Sequence, residues 1–137
     1  LFSSVTVVVI HNPQKETGTF TLEERVQLIT TSVEQAGLSG VAVATFGGLT
    51  VDAAKQLRAR FIVRGLRNAG DFEVEQQMAL TNHAASGIRT VYLPCGSSTG
   101  FISSRFVREI ALYGGDIHHL VPGPVAAALA ARFGRER

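Results

Sequence analysis

The chain has one cysteine, Cys95, so no disulfide can form within it and a reducing compartment is expected. Charge is also scarce. Charged residues make up 18% of the sequence and the formal net charge is +2, too little for a disordered polyelectrolyte. The basic residues do not gather into a run, so no nucleic-acid groove is implied. No apolar stretch reaches the roughly 18 residues that a membrane-spanning helix needs. Leu1-Phe2-Ser3-Ser4 lacks the basic start of a secretory signal, and the cytoplasm is the expected location. What remains is 45% hydrophobic in 137 residues, enough for one buried core and a single domain over 1–137. The first residue is Leu1, not Met, and an apolar strand follows almost at once. The expectation is a natural protein that extends upstream by one strand and one helix.

Strand and helix signals alternate. Residues 5–10 form a nearly unbroken β-branched run, as for a parallel strand covered on both faces. Thr21-Leu22-Glu23-Glu24 fits a capping box. Leu22, Val26, Ile29 and Val33 then mark one helix face, and Gly37 a stop. Strands are expected at 41–46, 61–63 and 90–93. Helices are expected at 50–57, with Val51, Ala54 and Leu57 inward, and at 71–85, 103–113 and 124–133. The order β-α-β-α-β-α-β-α-α predicts an α/β fold: a Rossmann-like parallel sheet with helices on both faces.

In such sheets ligands collect at the carboxyl ends of strands, where helix N-termini offer free N–H groups to anions. Two stretches fall at such places. Arg64-Gly65-Leu66-Arg67 directly follows the apolar run 61–63, and Gly100-Phe101-Ile102-Ser103-Ser104-Arg105 comes shortly after the strand at 90–93. Planar guanidinium groups suit phosphates, and Gly65 lets a ligand approach the backbone. Ser103 and Ser104 suit a helix cap as well as they suit a phosphate. Lys15, past the end of the first strand, reads either as a phosphate-reaching cation or as a solvated loop lysine. Asp71, Glu73 and Glu75 read as partners of the helix dipole and a solvated face. Met78 reads as packing, Asn82 less so. His118-His119 lacks metal-ligand spacing, and no metal-binding residue is assigned.

The combination of Asn12-Pro13-Gln14-Lys15, Phe20-Thr21-Leu22-Glu23-Glu24-Arg25, Arg64-Gly65-Leu66-Arg67, Asp71-Phe72-Glu73-Val74-Glu75, Phe101-Ile102-Ser103-Ser104 and Gly114-Gly115-Asp116 resembles bacterial phosphopantetheine adenylyltransferases, within the nucleotidyltransferase superfamily. The resemblance covers essentially the whole chain. It implies transfer of AMP from ATP to 4′-phosphopantetheine, giving dephospho-coenzyme A and pyrophosphate. It implies that Lys15 and Arg64 are catalytic and contact the substrate phosphate. It implies that Gly65, Leu66, Arg67, Glu75, Thr99, Gly100, Phe101, Ile102, Ser103, Ser104 and Arg105 hold ATP. Leu49, Thr50, Met78 and Asn82 would border the pantetheine arm. It further implies Mg²⁺ as cofactor, a homohexamer, and coenzyme A as an inhibitor, with neither nucleic acid nor membrane as partner. Thr99-Gly100, Val74 and Arg105 stand where the family usually has an aromatic-Ser pair, a tyrosine and a third serine. The family's opening Gly-x-Phe-Asp-Pro-x-x-x-Gly-His loop has no counterpart in the sequence. Two other readings stay open: a non-catalytic module that binds coenzyme A or adenine nucleotide, and another small nucleotidyltransferase.

Overall fold

The computed structural model describes residues 1–12 and 18–134. The elements run β1 (Val5–His11), α1 (Leu22–Gln35), β2 (Val41–Gly47), α2 (Thr50–Gln56), β3 (Phe61–Leu66), α3 (Ala69–Ser86), β4 (Arg89–Pro94), α4 (Ser104–Leu112) and α5 (Gly123–Gly134). The order is the one expected, and parallel strands flanked by helices give the expected Rossmann-like α/β class. The chain forms two compact units, Leu1–Gly47 with Ile102–Arg137, and Gly48–Phe101.

In the first unit β1 and β2 pair in parallel, from Val5 opposite Val41 to His11 opposite Gly47, with α1 as the crossover. The capping box that opens α1 is complete. Thr21 N–H donates to Glu24 Oε2 at 2.8 Å, and Glu24 N–H donates to Thr21 Oγ1 at 3.1 Å. At its other end Gly37 N–H bonds the Glu34 carbonyl and Leu38 N–H the Val33 carbonyl. Gly37 takes φ +65°, the left-handed turn of a Schellman stop. Leu22, Val26, Ile29 and Val33 are all half-buried, as one face should be. A core of Val107, Ala111, Ile117, Ala126 and Leu129 gathers α4 and α5, with Phe20, Ile102 and Phe133 packed on it.

The β1 run is less covered than its composition suggests. Only Val9 is buried, and Val5 and Ile10 are more than a third exposed. Among the described residues β1 has one hydrogen-bonded neighbour, β2, so part of its apolar surface stays open.

In the second unit β3 and β4 pair in parallel, from Phe61 opposite Arg89 to Leu66 opposite Pro94, and α3 packs on both. Three expectations need correction. First, β3 does not end at residue 63. Its ladder with β4 continues through Arg64 to Leu66, and Cys95 N–H then bonds the Leu66 carbonyl. Gly65 is therefore a strand residue. Second, the run 61–63 is not buried. Phe61 is 39% and Val63 41% exposed, because among the described residues β4 is the one strand beside β3. Third, Leu57 is not inward. Helix α2 stops at Gln56, Leu57 becomes its C-cap, and Arg58 turns left-handed at φ 53°. Ala53 takes the inner face instead, with Val51 and Ala54.

Helix α3 starts two residues before the expected 71 because Asn68 caps it, its Oδ1 accepting from Asp71 N–H at 2.9 Å. Among the described residues no helix is long and apolar enough to cross a membrane.

Candidate active site

Extension of β3 through Leu66 decides where its basic side chains go. Alternation along a strand puts Arg64 on one face, Gly65 on the other, and Arg67 just past the end. The two arginines then meet different acids of α3. Arg64 Nε donates to Glu75 Oε2 at 2.8 Å and its Nη2 to Glu75 Oε1 at 2.5 Å, a side-on bidentate pair. Arg67 donates from its backbone N–H at 3.1 Å and from Nε at 3.2 Å, both to Asp71 Oδ2. The reading of Asp71, Glu73 and Glu75 as first-turn acids and a solvated face thus holds in part. Asp71 lies in the first turn, but it grips Arg67. The Glu75 side chain is only 14% exposed and grips Arg64.

These pairs set the charge states. Hydrogen bonds from Arg64 hold the Glu75 carboxyl below its ordinary value, while the same bonds push the Arg64 guanidinium further up. Bonds from the Arg67 backbone and side chain likewise lower Asp71. Arg64 remains a cation that no accessible pH neutralises. A guanidinium has five N–H donors, and a pair made through Nε and Nη2 leaves donors that Glu75 does not take, on a side chain 45% exposed.

Around this pair lies a narrow cleft lined by Thr50, Ile62, Arg64, Glu75, Met78, Ala79, Asn82 and Thr90. Glu75, Met78, Ala79 and Asn82 fall at helical spacings of three and four, so α3 presents them on one side. Five site residues named from the sequence meet here: Thr50, Arg64, Glu75, Met78 and Asn82. Met78 is 44% exposed, so it borders the cleft and is not core. Glu75, assigned to ATP, shares the cleft as partner of Arg64.

Leu49 stands at the N-cap of α2, next to Thr50. Thr99, Gly100 and Phe101 close the second unit, where Gly100 N–H and Thr99 N–H both bond the Gly96 carbonyl. Ile102, Ser103, Ser104 and Arg105 belong to the first unit, at the start of α4. Ser103 occupies the N-cap position, yet its side chain makes no capping bond. Lys15 lies outside the described residues.

An added Cβ on Gly65 would meet nothing nearer than Cys95 Sγ at 3.6 Å, ordinary contact. Internal packing therefore does not demand glycine there. The first unit has its own groove, between α1 and α5, where Arg132 pairs with Glu24 and stacks on Phe20. It contains none of the site residues named from the sequence.

The family described as Cytidylyltransferase-like matches residues 1–110. A phosphopantetheine adenylyltransferase of Synechococcus sp. (strain JA-3-3Ab) is 52% identical over 134 residues, 97% of this chain and 82% of the relative. The chain belongs to the phosphopantetheine adenylyltransferase family. Enzymes of the same name from Finegoldia magna and Deinococcus radiodurans are 44% and 42% identical, each over 97% of this chain and covered to 81% and 79% themselves. Membership makes the chain a nucleotidyltransferase, as the resemblance of its motifs implied.

Two parts of the arginine cluster went unread in the sequence. Asn68 caps the helix that carries both acids, and its position one residue past Arg67 was a usable signal. Tyr92 bonds the Glu75 carbonyl through its hydroxyl at 2.9 Å. Nothing in a strand aromatic announces such a bond.

Proposed function

We propose that this chain transfers AMP from ATP to 4′-phosphopantetheine, as the name of its relatives describes, giving dephospho-coenzyme A and pyrophosphate. The observation that carries the reading is the bidentate Arg64–Glu75 pair: a fixed cation at the side of a cleft, with its outer donors presented to an anion. A phosphate oxygen of phosphopantetheine attacks the α-phosphorus of ATP. The bond from that phosphorus to the bridging oxygen breaks, and pyrophosphate leaves with its electron pair. No side-chain nucleophile enters, so catalysis is positioning plus charge stabilisation.

Arg64, with Lys15, holds the attacking phosphate. Gly65, Leu66, Arg67, Glu75 and the stretch 99–105 serve ATP. Leu49, Thr50, Met78 and Asn82 border the pantetheine arm. The unbroken family match over 1–110 supports treating 1–137 as one nucleotidyltransferase domain. Mg²⁺ is the proposed cofactor. Among the described residues no three Asp, Glu, His or Cys side chains converge, and Asp71 and Glu75 are each taken up by an arginine. That donor set fits an ion carried by phosphate oxygens and water, which supplies charge to the polyphosphate. A homohexamer in the cytoplasm, inhibited by coenzyme A, completes the reading.

The test is pyrophosphate release by the purified protein with ATP, phosphopantetheine and Mg²⁺. Release dependent on all three supports the reading. Binding of coenzyme A or ATP without release points to the non-catalytic module. Release with nicotinamide mononucleotide or glycerol phosphate in place of phosphopantetheine points to another nucleotidyltransferase.

A further inference from the structure

Arg64 and Tyr92 are partners in the β3–β4 register, so their side chains leave the sheet side by side. The Tyr92 ring packs edge-on against Phe72 of α3, with centroids 5.8 Å apart and planes at 70°. Its hydroxyl continues to α3 and donates to the backbone carbonyl of Glu75 at 2.9 Å. Glu75 is the residue whose carboxylate grips Arg64. The contacts thus form a closed ring: β3 to Glu75 through Arg64, Glu75 backbone to β4 through Tyr92, and β4 to β3 through the ladder.

We propose that Tyr92 is a positioning residue for Arg64, its hydroxyl fixing the turn of α3 whose carboxylate orients the guanidinium towards the substrate phosphate. A mid-helix carbonyl already serves its own ladder, and its second lone pair accepts the phenol. Helix α3 meets the end of β3 through side chains that can swing, Glu75 on Arg64 and Asp71 on Arg67, whereas the Tyr92 bond holds the α3 backbone itself to β4. A bidentate pair tolerates only about half an ångström of error. The hydroxyl supplies the directional restraint, and phenylalanine would keep the ring against Phe72 while losing it. The proposal rests on the reading that Arg64 holds the phosphopantetheine phosphate.

The experiment compares Tyr92→Phe, Arg64→Ala and the double variant with the parent protein. Its readouts are thermal unfolding and steady-state kinetics in both substrates. One neutral hydrogen bond predicts a KM for phosphopantetheine about threefold to tenfold higher in Tyr92→Phe. Turnover and the KM for ATP should stay within about twofold. The double variant should bind phosphopantetheine no worse than Arg64→Ala, because the two changes act through one group. A lower melting temperature with both KM values unchanged would make the hydroxyl merely structural and overturn the proposal. So would a double variant that adds the two losses. If Arg64→Ala itself keeps full affinity for phosphopantetheine, the site reading fails and the proposal falls with it. If Arg64→Ala binds weakly while Tyr92→Phe is normal, the proposal fails alone.

Discussion

At the β3–α3 junction the cations are held by the protein's own acids, Arg64 by Glu75 and Arg67 by Asp71. At the start of α4 the arrangement is the reverse. Ser103 makes no capping bond, no acidic residue lies in the first turn, and what is on offer is hydroxyls and backbone N–H groups. At the first junction both arginines are oriented by acids of α3. The second forms no side-chain cap, at a helix end whose dipole favours an anion. Two other helix starts are closed: Thr21 caps α1 and Asn68 caps α3 with side-chain oxygens, while α2 begins at Leu49 without a side-chain cap. Ser103 differs from Thr21 and Asn68 in having a capping side chain that is not used as a cap.

Four experiments would break or sharpen that contrast. The largest effect is expected from Arg64→Ala. Loss of a charge-assisted bond worth about 1.5–3 kcal/mol should weaken phosphopantetheine roughly tenfold to a hundredfold or more, with ATP affected less. Calorimetric titration with each ligand measures both. Equal losses would move Arg64 away from the phosphopantetheine side.

Gly65→Ala should come next. The backbone accepts the methyl, since its nearest neighbour is 3.6 Å away, so the melting temperature should hold. If ATP lies against this backbone, one added methyl should cost about tenfold in ATP affinity. Unchanged ATP binding would leave Gly65 without a role.

Ser103→Ala and Thr21→Ala form a matched pair. The Thr21 change removes a formed cap and should cost about 1 kcal/mol of stability, with turnover intact. The Ser103 change removes no cap and should cost less than about 0.5 kcal/mol. If the hydroxyl meets the leaving pyrophosphate, turnover should fall several-fold. Thermal unfolding beside steady-state kinetics separates the two, and equal stability losses would equate the two helix starts.

The smallest effect concerns pH. The Glu75 carboxyl titrates below its ordinary value because Arg64 bonds its charged form. Its contribution to stability is therefore present above about pH 4.3, the unfolded value, and is lost as pH falls through the lower folded value. Melting temperatures from about pH 6 to pH 3 should fall less steeply in Glu75→Gln than in the parent. Parallel curves would mean that the pair does not form in solution.

Much of this was legible in residues. The Thr21–Glu24 box and Gly37 marked α1 because caps are local devices, satisfied within four residues. Arg64 and Arg67 were legible as a phosphate-grade pair. Gly65 continues a strand, and the two arginines meet acids about one helical turn apart on α3, Asp71 near its start and Glu75 one turn on. Reading Glu75 as a solvated face failed because a charge pattern along a helix does not say which strand residue lies beneath it.

The sequence alone determined the alternation of strands and helices, their approximate ends and the family, because periodicity, caps and motifs are written in neighbouring residues. Only the tertiary structure decided how far β3 runs, which acid holds which arginine, and that the Tyr92 hydroxyl reaches the Glu75 carbonyl. Glu75 lies 11 residues from Arg64 and 17 from Tyr92 in the chain, and β4 is further still from β3. Such contacts form only when β3, β4 and α3 are packed together, and no local rule for strand or helix formation contains them.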